Sequence, residues 1–221
     1  MRWFLDMCII LYYIGEGDKE IFIKKSIEFV NRKKDDKFLL CYYIKDENLP
    51  RWKKRQKILF RELIRQINNS NYKPYSSEES RQLYDRDKKK IIKLITHFRH
   101  TSDKKEMIKK FERAFLEIEI RIDRFLQEQV DEFVVPINEI DFELKSHLLT
   151  FLNLGSSIKN DSDAKTLASA VQEHNKKEKE VVIITADTHD WKENLLEEVH
   201  YHPALKKKYP ELPPIKYIQN L

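Results

Sequence analysis

The sequence of 221 residues predicts an α/β protein with a central parallel β-sheet flanked by helices. Short apolar runs, which are typical of buried strands, alternate along the chain with longer segments of helical periodicity. These runs contain few polar residues, as expected for strands that helices cover on both faces. A chain of this length most simply forms one domain, so we expect a single domain spanning 1–221 with one helical insertion.

The N-terminal third of the chain predicts two strands and two helices. An apolar run predicts a first strand at about 2–10, and a roughly helical pattern predicts a helix at about 18–33. A continuous apolar run at 38–44 predicts a second buried strand, which ends at Lys45. After Pro50, an amphipathic helix is expected, with one apolar face formed by Ile58, Leu59, Leu63, Ile64 and Ile67.

The segment at about 72–131 predicts an inserted helical hairpin. In its second helix, apolar residues from Ile108 to Phe125 recur at alternating spacings of three and four. Such a stripe most simply forms the core of the hairpin. A surface for a partner protein or for a second copy of the chain is the alternative interpretation.

After the insertion, the alternation of strands and helices resumes. We expect a strand at 133–136, a helix with Ile140, Leu144 and Leu148 facing inward, and a loop at 159–162. The remaining elements are then a helix at about 163–174, a strand at 181–185, a helix near 190–199 and a strand at 215–218.

The composition excludes several classes of protein. Gly occurs only at positions 15, 17 and 155, so the chain contains neither a P-loop nor a complete dinucleotide-binding fingerprint. The balance of 42 Lys and Arg against 37 Asp and Glu gives a net charge of +5, which permits nucleic-acid binding without requiring it. A basic helix face with Arg51, Lys54 and Arg61 is equally consistent with phosphate contacts and with ordinary solvation.

The N-terminal apolar run is too short for a membrane helix and contains Asp6, and it lacks the cleavage site of a signal peptide. We therefore expect a cytoplasmic protein without membrane association. Cys8 and Cys41 both lie within apolar runs, which indicates buried thiols in a reducing compartment.

Acidic residues follow the predicted strands wherever the chain leaves the sheet. Asp6 lies in or after the first strand, Asp46 and Glu47 follow the second, Asp161 and Asp163 open a later helix, and Asp187 and Asp190 follow the fourth strand. In parallel sheets, the functional crevice lies beyond the carboxyl ends of the strands. Asp6 is the most informative of these acids, because a carboxylate among apolar neighbours must be paired or bound to metal.

Carboxylates gathered in one crevice repel one another unless a cation compensates their charge. Oxygen ligands without Cys or His suit Mg²⁺ or Mn²⁺ better than Zn²⁺. One or two such ions can activate a water and stabilise charge on a phosphate, so this arrangement predicts hydrolysis of phosphodiester bonds.

Four pieces of the chain, in their order and separation, resemble the PIN domain family. They are Phe4–Asp6, the acid after the second strand, the string DAKTLASA at 163–170 and the string IITADTHDW at 183–191. The resemblance implies a three-layer PIN-like fold and a metal-dependent endoribonuclease that cuts single-stranded RNA. It assigns metal binding and catalysis to Asp6, Glu47, Asp163, Asp187 and Asp190.

The resemblance also implies partners and leaves alternatives. Such nucleases often act as toxins that a cognate antitoxin neutralises, and they often form dimers. Asp46 is the alternative to Glu47 as the second acid. Family members place a small hydroxyl or amide residue after the first aspartate, whereas this chain has Met7 and Cys8. A catalytically inactive PIN-like module that binds nucleic acid or protein is therefore the second hypothesis. A phosphatase with Asp6 as nucleophile is disfavoured, because Cys8 stands where its second aspartate belongs.

Overall fold

A computed structural model describes residues 1–16, 19–69, 71–98, 103–152, 161–176, 180–192 and 194–221. Among them, five strands form one parallel sheet in the order β3-β2-β1-β4-β5. The strands are β1 Arg2–Leu5, β2 Lys37–Cys41, β3 Glu132–Val134, β4 Val182–Thr185 and β5 Ile215–Tyr217. The predicted α/β class with a central parallel sheet is therefore confirmed.

Helices pack in two groups on this sheet. Helix α1 (Met7–Tyr13) packs on α2 (Glu20–Arg32), and α6 (Phe142–Leu152) packs on α7 (Asp161–His174). The chain moves in opposite directions across the sheet in the β1-to-β2 and β3-to-β4 crossovers, so right-handed connections place these two groups on opposite faces. The central strands are accordingly apolar and fully buried, with Phe4, Leu39 and Ile183 at 0% exposure.

The first strand is shorter than the sequence predicts. The predicted strand at 2–10 was wrong beyond Leu5, because Asp6 ends β1 in an extended conformation and Met7–Tyr13 forms α1. Ile9 and Ile10 are fully buried in this helix, as they would be in a buried strand. A continuous apolar run does not distinguish between the two structures, which explains the error.

The second strand also ends early. The predicted strand at 38–44 was wrong in its last three residues, since β2 ends at Cys41 and a π-helical turn, Ile44–Asn48, leads into α3 (Leu49–Asn68). The N–H of Leu49 bonds to the carbonyl of Ile44, five residues back. Pro50 explains this wide turn, because its ring would clash with the carbonyl four residues back in a regular helix.

Residues Pro50–Arg121 form a separate compact unit, and Met1–Leu49 with Ile122–Leu221 form the other. The unit Pro50–Arg121 starts earlier than the predicted insertion at about 72–131, because it includes nearly all of α3. It also contains a 3₁₀ helix (Glu79–Gln82), α4 (Asp85–Phe98) and part of α5 (Lys104–Glu128). Its buried cluster is formed by Ile58, Leu59, Leu63, Ile67, Leu83, Ile91 and Phe111.

A buried carboxylate organises the loop within this unit. Glu62 has 0% exposure, and its Oε1 accepts bonds from Arg65 (2.8 Å), Tyr72 (3.0 Å) and Ser77 (2.5 Å). Its Oε2 accepts the N–H of Tyr75 at 3.1 Å, which holds that residue at a positive φ of 59°. Burial alone would raise the pKa of Glu62, but these bonds outweigh it and lower the pKa.

Glu62→Gln is expected to reduce the free energy of unfolding by about 2–3 kcal/mol, because it removes the charge and leaves buried donors poorly satisfied. A lowered pKa stabilises the fold above the unfolded-state pKa, so wild type, unlike the variant, should lose this stability as the pH falls through the folded-state pKa. Urea denaturation measures both effects. Glu79→Gln, at a half-exposed ion pair with Arg61 and Arg65, is the control and should change stability by less than about 1 kcal/mol. Equal losses for both variants would contradict this account.

The C-terminal elements also differ from the predicted ones in detail. The predicted helix near 190–199 was wrong, because a 3₁₀ helix forms at Leu195–Tyr201 and α8 follows at Pro203–Lys208. Helix α7 starts at Asp161, so residues 161–162 of the predicted loop are helical, and 159–160 lie outside the described residues. Both cysteines are free thiols. No helix in the described ranges is long and apolar enough to cross a membrane.

Candidate functional site

The strand order itself defines a crevice at the carboxyl ends of β1 and β4. From β1 the chain crosses to β2 on one side, and it returns through β4 on the other side of β1. Such a point, where the direction of the crossovers reverses, is where open α/β sheets bind ligands. Asp6 directly follows β1, and Asp187 lies two residues beyond β4.

Asp6 is buried, with 9% exposure, and is held by groups from both strands. Its N–H donates to the carbonyl of Ile184 at 3.1 Å and extends the pairing of β1 with β4. Its Oδ2 accepts bonds from the Thr185 hydroxyl and the Cys8 thiol, both at 2.7 Å. Burial raises the pKa of Asp6, and the nearby charge of Asp187 adds to this effect, while the two hydrogen bonds oppose it.

Cys8 supports both Asp6 and the turn after β4. Its Sγ accepts the N–H of Ala186 at 3.2 Å and lies 3.5 Å from the Thr185 hydroxyl oxygen. Burial, followed by the charge of Asp6, raises the pKa of this thiol well above its usual value. The thiol therefore remains protonated at neutral pH and can donate to Asp6. Sequence reasoning missed this residue, although its position two residues after Asp6 was a signal.

The turn after β4 places two further acids. The Thr185 hydroxyl accepts the N–H of Asp187 at 3.0 Å, so one side chain connects Asp6 to this turn. Asp187 Oδ1 then accepts the N–H groups of His189 (2.9 Å) and Asp190 (3.0 Å), which fixes the turn. The His189 ring lies 2.8 Å from Asp190 Oδ1.

Asp163 lies in the first turn of α7 and interacts electrostatically with the other acids. Burial raises its pKa to about 7, and the charges of Asp6, Asp187 and Asp190 contribute in that order. A hydrogen bond from the side chain of Trp191 opposes the shift. Trp191 is 1% exposed, and its carbonyl accepts the Tyr217 hydroxyl at 2.5 Å. Asp163 therefore lies close enough to three of the other predicted acids for their charges to affect its pKa.

Glu47 lies in the neighbouring π-helical turn instead of directly at a strand end. It is half-buried, whereas the alternative candidate Asp46 is exposed. The next residue, Asn48, donates to the Ser162 hydroxyl at 2.9 Å, and this bond connects the π-helical turn to the first turn of α7. The turn that contains Glu47 is thus attached to the turn that contains Asp163.

The four acids offer only carboxylate oxygens, which are the donors that Mg²⁺ and Mn²⁺ prefer. Burial raises the pKa values of Asp6 and Asp163, and the neighbouring carboxylates add to these shifts. A bound divalent cation would favour the ionised form of both groups, so the donor chemistry fits such a cation. Within the residues that the structure describes, however, no three His, Cys, Asp or Glu side chains are close enough together to hold a metal ion. Closer approach of these carboxylates needs the cation itself, because each charge repels the others.

Comparisons of the chain with known protein families, with curated proteins and with solved structures found no significant match. The fold and the geometry of this crevice therefore carry the functional argument.

Proposed function

We propose that this chain is a PIN-like endoribonuclease that hydrolyses phosphodiester bonds of single-stranded RNA with Mg²⁺ or Mn²⁺. The observation that carries the proposal is the position of Asp6, Asp163, Asp187 and Asp190, which come from three separate parts of the chain and of which three influence the pKa of Asp163. Asp6 and Asp187 follow the two strands between which open α/β sheets of this topology bind ligands. The order of these acids along the chain supports the PIN-like assignment.

The residues divide into ligands and supports in this proposal. Asp6, Asp163 and Asp187 would hold the cation, and Glu47 and Asp190 would complete or support the set. When bound, the cation would neutralise the carboxylates and the charge that develops on the scissile phosphate. Thr185 and Cys8 hold Asp6 in one orientation, and Trp191 does the same for Asp163. A carboxylate of the set would accept the proton of the attacking water.

The proposal extends to biological context. It includes a cytoplasmic location and a role as the toxin of a toxin–antitoxin or defence pair, with an antitoxin protein and a second copy of the chain as partners. The net charge of +5 supports attraction to RNA despite the acidic crevice.

A second candidate is a non-catalytic PIN-like module that binds nucleic acid or protein. The observation that favours it is the lack, among the described residues, of three potential ligands within reach of one metal ion. Calorimetric titration with Mn²⁺ separates the two candidates, because only the nuclease should show a binding site that depends on these carboxylates.

The test of the proposed function is cleavage of end-labelled single-stranded RNA by the purified full chain. We expect product bands with Mn²⁺ or Mg²⁺ and none in buffer containing EDTA, because the carboxylates need the cation to cleave RNA. Cleavage that persists in EDTA, or intact RNA under every metal condition, would overturn the proposal. The same oligonucleotide made of DNA measures the preference for ribose.

A further inference from the structure

Two lysines form ion pairs with one carboxylate at the start of α7, two residues before the proposed metal ligand Asp163. Lys165 Nζ lies 3.0 Å from Asp161 Oδ2, and Lys145 Nζ lies 3.4 Å from Asp161 Oδ1. The two ammonium groups therefore already bind an anionic group.

The side chains of both lysines are largely buried, whereas the carboxylate is more accessible. The side chains of Lys145 and Lys165 are 19% and 20% exposed, and that of Asp161 is 41% exposed. Each ammonium also lies over an aromatic ring, Lys165 at 4.6 Å from the centroid of Tyr43 and Lys145 at 5.2 Å from that of Phe142. Partly exposed ion pairs contribute little stability, so an incoming anion can displace Asp161 at low cost.

The cluster lies at the same edge of the sheet as the acids, one strand away. Tyr43, under the Lys165 ammonium, follows the end of β2, and β2 is the neighbour of β1. Lys165 and Asp163 are two residues apart in α7, about 3 Å along the helix axis, and their side chains leave the helix in different directions because two residues turn it by about 200°. A strand of RNA with one phosphate at the acids would therefore cross the start of α7 before another of its phosphates reaches these lysines.

We propose that Lys145 and Lys165 form a subsite for an RNA phosphate other than the scissile one, and that the Asp161 carboxylate occupies this subsite when RNA is absent. Two positive charges face one negative charge there, so the cluster has a net charge of +1 in a crevice that is otherwise acidic. The start of α7 adds the positive end of a helix dipole. This inference rests on the proposed function, which supplies the RNA and its direction across the sheet.

Fluorescence anisotropy with a short labelled single-stranded RNA tests the subsite separately from cleavage. All measurements use the full chain with Asp6→Asn, in EDTA, so that no RNA is cut. Adding Lys145→Met and Lys165→Met together should weaken binding and reduce the slope of log K against log salt by about 0.7, the value for one phosphate on a single strand. Asp161→Asn should have the opposite effect and tighten RNA binding, because it removes the negative charge that competes with the phosphate.

Lys24→Met is the matched control, since this exposed lysine pairs with Glu20 on α2. It should leave both affinity and salt slope unchanged. An unchanged salt slope in the double lysine variant, or weaker RNA binding by Asp161→Asn, would overturn the subsite. Either result would leave the proposed nuclease activity of the wild type untouched. Slope loss in a protein that never cleaves RNA would support the subsite and refute the nuclease. Failure of the parent protein to bind RNA would overturn the subsite directly.

Discussion

Asp6→Asn is expected to lower the rate of Mn²⁺-dependent RNA cleavage by about three orders of magnitude or more. Asparagine keeps the size of the side chain and can still accept the Thr185 and Cys8 hydrogen bonds through its carbonyl oxygen. The substitution therefore removes the charge without creating a cavity. Asp187→Asn should have a comparable effect, because this residue follows the other strand that borders the crevice.

Single-turnover cleavage of labelled RNA at saturating Mn²⁺ measures this loss. Asp35→Asn is the control, since this exposed acid precedes β2 at the opposite edge of the sheet and should cleave as wild type does. Thermal denaturation of each variant without metal checks that the fold is intact. Wild-type rates in Asp6→Asn and Asp187→Asn would contradict the assignment of these carboxylates to the site.

Asp163→Asn is expected to stabilise the protein when no divalent cation is present. The pKa of Asp163 is raised from 3.8 to about 7, so the folded state binds this proton more tightly than the unfolded state does. Wild type should therefore lose stability as the pH rises from about 4 to about 7 and be least stable above that range. At pH 8, the variant should exceed wild type by about 4 kcal/mol in free energy of unfolding.

Addition of Mn²⁺ should reverse this order. Urea denaturation at pH 8 should show strong stabilisation of wild type by Mn²⁺ and little stabilisation of Asp163→Asn. Asp161→Asn is a close control from the same helical turn, and its pKa is shifted in the opposite direction. Neutralising Asp161 should therefore give no gain in stability in EDTA. A pH-independent wild type, or equal Mn²⁺ effects in all three proteins, would contradict the account.

The sequence was sufficient to predict the sheet, because short apolar runs alternate along the chain with longer segments of helical periodicity. It was insufficient to locate where β1 and β2 end. Ile9 and Ile10 are buried in α1, so their apolar character carries no information about strand or helix. The π-helical turn before α3 depends on Pro50 acting on a carbonyl four residues back, and hydrophobic periodicity does not register this effect.

The acids of the candidate site were accessible to sequence reasoning, because carboxylates at the ends of parallel strands must share one edge of the sheet. The residues that hold these acids in place could not be predicted from the sequence. Thr185 and Cys8 meet at Asp6 only through the pairing of β1 with β4, in which Leu5 lies opposite Ile184. Trp191 reaches Asp163 from a turn beyond β4, and the apolar pattern around it predicted a helix instead. Such contacts depend on strand register and loop geometry, which no local pattern specifies.

Anomalous diffraction from Mn²⁺-soaked crystals of the full chain shows directly whether the acids beyond β1 and β4 bind a divalent cation. We expect an anomalous peak for a Mn²⁺ ion that carboxylate oxygens of Asp6, Asp163 and Asp187 coordinate. These side chains should lie closer together than they do in the metal-free structure. We also expect that the peak is lost in Asp6→Asn crystals soaked in the same way. A wild-type crevice without a peak at saturating Mn²⁺, or a peak that Asp6→Asn leaves unchanged, would contradict the binding of a cation by these acids.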